Sequence, residues 1–490
     1  MSERRYVDGY RKLRRADEPR RIAYEVLHEV ASRGAFANII LPKALRQARR
    51  EGHFSDRDAA FTSELVHGTL RQMGRLDWVI ARHVDRELAD LDPRVLVLIR
   101  MGAHQLLDMR VPDHAAVSAT VDVAREHLTD GPVRFVNAVL RSITREEDAD
   151  REAAMETISD PDEALGVRYS HPAWMVRAFR DALAAHGYAQ GELEAVLAAD
   201  NEVPTVTLVA RPGLVSVDEL ADEAEDVLDT RVAFGAVSPL AVLLESGDPA
   251  RLPSLRDGRS GAQDEGSQLA AIMAASAPLG AGPDAHWLDL CAGPGGKAAL
   301  LAGLAQERGA RVTANEVHPH RARLIERTTR LYDSIEVVSG DGRTFGGGRS
   351  AWPLGSFDRV VVDAPCSGMG SMRRRPESRW NRAERDLDDL TALQAQLLDR
   401  AVELTRPGGV LTYITCSPHA AETRDQVRRL LDGGEVELLD AVALADDCTP
   451  APLEVPPSAG RLEGVAGRTL QLWDHRFGTD LMFVACLRKR

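Results

Sequence analysis

The feature that most constrains this chain lies in its second half, where short apolar runs alternate with helix-length segments. Trp287-Leu288-Asp289-Leu290, Arg311-Val312-Thr313-Ala314, Ile335-Glu336-Val337-Val338, the run FDRVVV at 357–362 and VLTYI at 410–414 are too short for helices. They are bounded by turn residues and rich in the β-branched side chains that strands favour. Strands joined through helices pair in parallel, and such a sheet needs cover on both faces. Residues 263–490 are therefore expected to form a doubly wound, largely parallel α/β domain. LMFVA at 481–485 reads as a closing strand, and the Pro/Gly-rich stretch 446–467 as a loop.

The first part has a different period. Asp17 can cap a helix with Pro19 in its first turn, Ile22, Val26, Leu27 and Val30 fall on one face, and Gly34 marks a stop. A second helix follows Ser55, with Phe61, Leu65, Val66 and Leu70 inward. Others start near Pro93, cover about 114–127, and carry Phe135, Val136, Val139 and Leu140. Short loops between them predict an all-α bundle over 17–146, preceded by a basic tail at 1–16. Residues 146–165 are acidic and poor in large apolar groups, the composition of a linker. A small α/β subdomain is expected over 165–262, with a helix after His171-Pro172, an extended run PTVTLV at 204–209 and a helix near 217–227.

The 490 residues are enough for about three domains. No run approaches the ~20 apolar residues of a membrane span, and the basic start lacks the apolar core of a secretory signal, so a cytoplasmic protein without membrane association is expected. Five scattered cysteines, with no C-x-x-C pair, argue against a disulfide framework and against a metal site. A net charge of −14 argues against binding polyanions with the whole surface. A local basic path is enough for nucleic acid, and the amino-terminal arginines and Arg373-Arg374-Arg375 are candidates. Either run, taken alone, reads equally well as solvated charge.

The turn after the first strand of the alternating region is Cys291-Ala292-Gly293-Pro294-Gly295-Gly296-Lys297. Glycines let backbone approach a ligand closely, and the following helix offers free N–H groups. The spacing is neither G-x-G-x-x-G nor a phosphate loop, which disfavours dehydrogenases and nucleotidases. Glu316, Asp341 and Asp363 stand at the carboxyl ends of the next three strands. Any one of them could be a helix cap. All three in register fit a nucleoside cofactor at a doubly wound sheet, with Arg321 counted in the same set.

Two cysteines occupy equivalent places. Asp363-Ala364-Pro365-Cys366-Ser367-Gly368 follows the fourth strand, and Thr415-Cys416-Ser417-Pro418 follows the fifth. A lone buried cysteine is usually a small hydrophobe. Two on adjacent turns beside an acid and a cofactor turn are expected to open onto one crevice.

These motifs carry a resemblance. QDEGSQLA, LDLCAGPGGK, GDGR, DAPCSGMGSMRRRPESRW, RPGGVLTYITCS and HRFGTDLMFVA, in this order, resemble the RsmB/Sun/Fmu family of ribosomal RNA 5-methylcytosine methyltransferases. RRIAYEVLHEV, SDRDAAFTSELVHGTLR, LIRMGAHQLL and RFVNAVLRSI are similar to the NusB-like RNA-binding domain of that family, and SHPAWMV and PTVTLV to its small RNA-contacting subdomain. The resemblance implies a multidomain chain: NusB-like bundle, linking α/β subdomain and Rossmann-like class I methyltransferase domain. It implies transfer of a methyl group from S-adenosylmethionine to C5 of a cytosine in 16S rRNA, with no metal and no obligate protein partner. Transfer RNA is the alternative substrate, since enzymes acting on it share the catalytic motifs. A noncatalytic assembly factor would show a degraded turn or a lost cysteine, and neither is seen.

By the same resemblance, Cys416 is the nucleophile, Cys366 assists product release, and Asp363 and Lys297 hold the target base. Residues 291–297, Glu316, Asp341 and Asp363 line the cofactor site. The chemistry explains the thiols: a thiolate adding to C6 makes C5 nucleophilic, dividing one hard step into easier ones. The attacking sulfur needs a lowered pKa, from a helix start or a cation. Arg373, Arg374 and Arg375 are expected to hold RNA phosphates. Trp380 either stacks on a base or anchors its loop. Two departures from the family pattern stand out: Glu316 where Asp is usual, and SPHAAET, which keeps Glu422 without the usual Pro-Glu before it.

Overall fold

The computed structural model describes residues 16–52, 54–347 and 351–490. The basic amino-terminal run lies outside them, Ala16 apart. The chain divides into two compact units, one reaching to Ala173 and including Arg375–Glu377, the other made of Trp174–Arg374 and Ser378–Arg490.

The first unit is helical. Asp17 accepts the Arg20 N–H at 3.1 Å to start Glu18–Arg33, which ends at Gly34 in the left-handed region. Ser55 and Asp58 form a reciprocal capping box on Asp56–Arg71. Pro93–Leu107, Asp113–His127 and Asp130–Ile143 complete the expected set around a core that includes Leu65, Leu98, Val136 and Leu140. Two further helices, Ala37–Glu51 and Met73–Ala81, carry no local start signal. The first has Pro42 inside it, and its Ala37 N–H donates to Glu377 Oε1 at 3.0 Å, a cap supplied from far along the chain.

The acidic stretch expected as a linker is instead helical, as Asp148–Met155 and Pro161–Tyr169, and belongs to this unit. Composition misleads because a buried cation organises the acids. Arg151 pairs with Glu146 at 3.3 Å and Asp148 at 2.8 Å, Met155 is buried, and Asp160 caps the second helix ahead of Pro161.

The second unit holds two sheets. The smaller is antiparallel, in the order β2-β3-β1-β4, from β1 Val206–Ala210, β2 Val232–Phe234, β3 Ala241–Leu244 and β4 Ser260–Ala262. The larger contains β5 His286–Asp289, β6 Arg311–Asn315, β7 Ile335–Val338, β8 Phe357–Asp363, β9 Thr405–Thr415, β10 Val436–Leu438, β11 Leu470–Gln471 and β12 Phe483–Lys489. Its order is β10-β12-β9-β8-β5-β6-β7, with β11 beside β12. The five strands from β9 to β7 are parallel, while β10, β11 and β12 pair antiparallel, so the sheet is mixed.

Both faces are buried. Trp287, Val312, Val361 and Ile414 face the helices Glu265–Ser276 and Ala441–Cys448, while Leu288, Val360, Val362 and Tyr413 face Asp386–Leu404 and Arg424–Asp432. That alternation along continuous apolar strands is what a sheet covered on two sides requires. Chain order reverses at β5, which has β6 on one side and β8 on the other. A crevice therefore opens at the carboxyl ends of these strands. Among the described residues no helix is long and apolar enough to cross a membrane.

Candidate active site

Strand register brings the two cysteine loops together. Asp363, the last residue of β8, pairs with Ile414 of β9, so Cys366 and Cys416 leave adjacent parallel strands at the same edge. Their sulfur atoms lie 3.4 Å apart. The antiparallel strand β12 enters from beyond: Phe483 pairs with Thr415, and the Leu481 N–H donates to Gly370 O at 2.8 Å while the Gly370 N–H donates to Cys416 O at 2.9 Å. Gly370 is threaded so tightly that a Cβ there would lie 2.3 Å from Leu481 O.

A charged pair faces the thiols. Lys297 Nζ donates to Asp363 Oδ2 at 2.9 Å, with both side chains mostly buried. Burial pulls the Lys297 ammonium down, but the Asp363 charge and hydrogen bond, with Cys416 nearby, raise it overall. The two thiols move apart. Cys416 falls below the ordinary thiol range, chiefly because Cys366 hydrogen-bonds to it. Burial and Asp363 oppose that shift, and Lys297 assists it. Cys366 rises well above the range, through that same bond, burial and the charge of Glu422. The partner thiol is thus the first cause of the lowering, with the Lys297 cation assisting.

The glycine-rich turn leads from β5 into the helix Gly296–Glu307. Glu316, almost fully buried, accepts the His318 N–H at 2.9 Å and meets the Arg321 guanidinium at 3.5 Å. Arg321 also donates to Gly293 O. A Cβ on Gly293 would sit 2.0 Å from Glu316 Oε2, so any larger residue there would have to displace the Glu316 and Arg321 side chains.

Residues 277–488 match the family described as 16S rRNA methyltransferase RsmB/F, and residues 17–145 match the NusB family. A protein of Mycobacterium tuberculosis named as a methyltransferase is 46% identical over 480 residues, covering 98% of each chain. A ribosomal RNA small subunit methyltransferase B of Erwinia tasmaniensis is 32% identical over 419 residues, covering 84% of this chain and 89% of its own. The chain belongs to the RsmB/F methyltransferase family. It is an S-adenosylmethionine-dependent RNA methyltransferase with an amino-terminal NusB-family domain. The crystal structure of PH0851 has the same fold, with a TM-score of 0.76 over 97% of this chain and 99% of its own at 21% identity.

The crevice of this RsmB/F enzyme fits a nucleoside with a charged amino-acid end. Asp289, at the tip of β5 and 1% exposed, has only the Cys291 backbone N–H and the Lys297 charge to offset its burial, and neither carboxylate oxygen makes a well-formed hydrogen bond among the described residues; Asn315 Oδ1 is likewise buried and unpartnered among them. Burial, then the neighbouring Asp363 charge, pushes Asp289 up to about 7. A buried carboxylate with so few donors is costly unless a ligand supplies more. Asp289 was not singled out from the sequence, although its position immediately before the glycine-rich turn was the available signal. Cys291, largely buried at that turn, is raised by burial and by the acids Asp289, Asp363 and Glu316. Asp341 follows β7. It caps a short turn, its carboxylate is held by the Arg343 fork at 2.6–3.1 Å, and it borders a surface hollow with Thr344, Arg400 and Glu403.

The arginines expected on phosphates do other work in the RsmB/F fold. Arg373 is buried and donates to Gly478 O at 2.8 Å. Arg374 bridges Asp264 at 2.7 Å and Asp480 at 3.1 Å. Arg375 is exposed in the first unit, its guanidinium 5.4 Å from the Phe36 ring centre. Arg373 and Arg374 thus have partners inside the protein, and a phosphate would have to compete with those partners for them. Trp380 is half-buried, and its indole N–H is buried without a partner among the described residues, in keeping with the anchoring alternative. No group of three or more His, Cys, Asp or Glu side chains that could hold a metal lies among the described residues.

Proposed function

We propose that this enzyme transfers a methyl group to C5 of a cytosine in 16S ribosomal RNA through a covalent bond between Cys416 and C6 of the ring. The observation that carries this reading is the 3.4 Å approach of the Cys366 and Cys416 sulfurs beside the Lys297–Asp363 pair. Unaided, cytosine C5 is a poor nucleophile. In this reading the Cys416 thiolate adds to C6, and the ring becomes an enamine that can take a methyl group at C5. Lys297 and Asp363 hold the polar edge of the ring, with Asp363 answering the proton character gained at N3. A base, water or a side chain of the crevice, then takes the C5 proton, and the electron pair left on C5 restores the C5–C6 double bond and expels the Cys416 sulfur. Cys366 keeps its proton to higher pH, so it stands as a thiol ready to protonate the departing sulfur.

S-adenosylmethionine, when bound, supplies an electrophilic methyl on its sulfonium. Residues 291–297 would cradle it, Glu316 with Arg321 would take its ribose, Asp341 would face its base, and Asp289 and Asp363 would meet its charged end. A DNA-type enzyme would attack with the thiol after Pro365. In such an enzyme a thiol after β9 would be idle, whereas here the Cys416 sulfur lies 3.4 Å from Cys366 beside the Lys297–Asp363 pair. The ribosomal substrate is supported by the family description and by relatives named for small-subunit RNA.

Bisulfite sequencing of RNA from cells with and without the gene tests the substrate. The expected result is one 16S cytosine protected only when the gene is present. Protection confined to transfer RNA would overturn the ribosomal part, and no protected cytosine anywhere would overturn the C5 chemistry.

A further inference from the structure

Two loops that each carry a thiol need something to fix their separation, and the strands alone end before the cysteines. The residue after each cysteine points to the same buried acid. Glu422 is fully buried. Its Oε2 accepts from Ser367 Oγ at 2.5 Å and from Ser417 Oγ at 2.6 Å. Its Oε1 accepts from the Ser367 N–H at 2.7 Å and from Gln394 Nε2 at 3.1 Å. Gln394 donates its other amide hydrogen to Pro365 O at 2.9 Å, so the same network holds the residue before Cys366. Tyr413 OH donates to the Glu422 carbonyl at 2.5 Å and fixes the clamp to β9.

We propose that Glu422 is a positioning residue that sets the distance and register of the two thiols by clamping both cysteine loops through Ser367 and Ser417. The inference rests on the covalent two-thiol reading above. A buried carboxylate with four donors is satisfied without a cation, and each donor lies in or beside a cysteine loop. None of these four donors touches the crevice chemistry directly, so the acid acts through the loops. Its charge has a second effect, since it is among the groups that keep Cys366 protonated.

Glutamine and alanine separate these two effects. In Glu422→Gln the amide NH₂ can donate to both serine hydroxyls, which turn to accept, while the amide oxygen still takes the Ser367 and Gln394 hydrogens. Geometry is kept and charge is lost. In Glu422→Ala four donors lose their acceptor and both loops are freed. A displacement of the order of 1 Å at a reacting centre costs about 100-fold in rate. Glu422→Ala is therefore expected to lower kcat about 100-fold with little change in S-adenosylhomocysteine binding, while Glu422→Gln recovers at least a tenth of the wild-type rate.

The test uses the full chain and four readouts: kcat and KM for RNA, S-adenosylhomocysteine binding, thermal unfolding, and the pH profile of iodoacetamide alkylation at each cysteine, read by mass spectrometry. Support is a loss confined to kcat, partial rescue by glutamine, and a lower Cys366 alkylation pKa in both variants. A folded Glu422→Ala enzyme turning over at the wild-type rate overturns the proposal. So does equal loss of turnover and cofactor binding in both variants. If Glu422→Ala does not fold, the double variant Ser367→Ala with Ser417→Ala takes its place, and unimpaired turnover there has the same force. Cys416→Ser, run alongside, keeps the two readings apart. An active Cys416→Ser enzyme ends the covalent reading, whereas a dead one beside an unimpaired Glu422→Ala ends only the clamp.

Discussion

A buried thiol is a weak nucleophile until something shares its negative charge. Here the neighbour is another thiol at 3.4 Å, with Lys297 as the second helper. Replacing sulfur with a hydroxyl removes the low pKa but hardly changes volume. Cys416→Ser should lower methyl transfer by four or more orders of magnitude, on the order of what loss of an enzyme nucleophile costs, and leave S-adenosylhomocysteine binding intact. Sustained turnover by this variant would refute the nucleophile assignment. Cys366→Ser should instead stall after attack. A covalent enzyme–RNA band should accumulate on denaturing gels, and free RNA with normal turnover would count against the release role. At the turn, Gly293→Ala puts a methyl 2.0 Å from Glu316 Oε2. Either the acid or the turn must move, so cofactor binding should weaken at least tenfold, about 1.4 kcal/mol, by calorimetry with S-adenosylhomocysteine.

At the scale of elements, the strands were readable because each is a short apolar run between turn residues, and the parallel register follows from their connections. That register pairs Asp363 with Ile414, so the two cysteine loops, each leaving the carboxyl end of its strand, meet. What escaped the sequence is non-local. The cap of Ala37–Glu51 comes from Glu377, and the partners of Arg374 lie more than 100 positions away. Nothing in a run of three arginines reveals which acids will face it. The same holds for His104, buried in Pro93–Leu107 with Asp108 at 3.0 Å and Glu64 at 3.6 Å. Burial lowers its pKa, but the two acids outweigh burial and raise it above 6.5 overall, while both acids are lowered. The stability His104 contributes is therefore complete below pH 6.5 and is lost as pH rises through the higher folded value. Melting temperatures of the wild type should fall from about pH 6 to 8.5, and His104→Gln should flatten that slope. An unchanged slope would mean that other groups set it.

At the scale of the whole molecule, the question is where an acidic protein of net charge −14 finds the positive potential to hold RNA. Counting arginines along the sequence overestimates it, because several are neutralised internally. Arg374 illustrates the point: its partners Asp264 and Asp480 are largely buried, and burial with the Asp264 charge pushes Asp480 up to about 7. Without the Arg374 guanidinium, two carboxylates would share the site with only Arg373, 3.9 Å from Asp480, left to offset them. Breaking a buried pair this way costs about 3 to 5 kcal/mol. An arginine on a phosphate behaves differently, since each such contact changes the slope of log affinity against log salt by about 0.7 for single strands. Arg374→Ala should therefore lower the melting temperature while leaving the salt slope of RNA binding unchanged, measured by filter binding across a salt series at a temperature where the variant is folded. A shallower slope with undiminished stability would return Arg374 to the RNA interface, and would mean that the internal bridge opens when substrate binds.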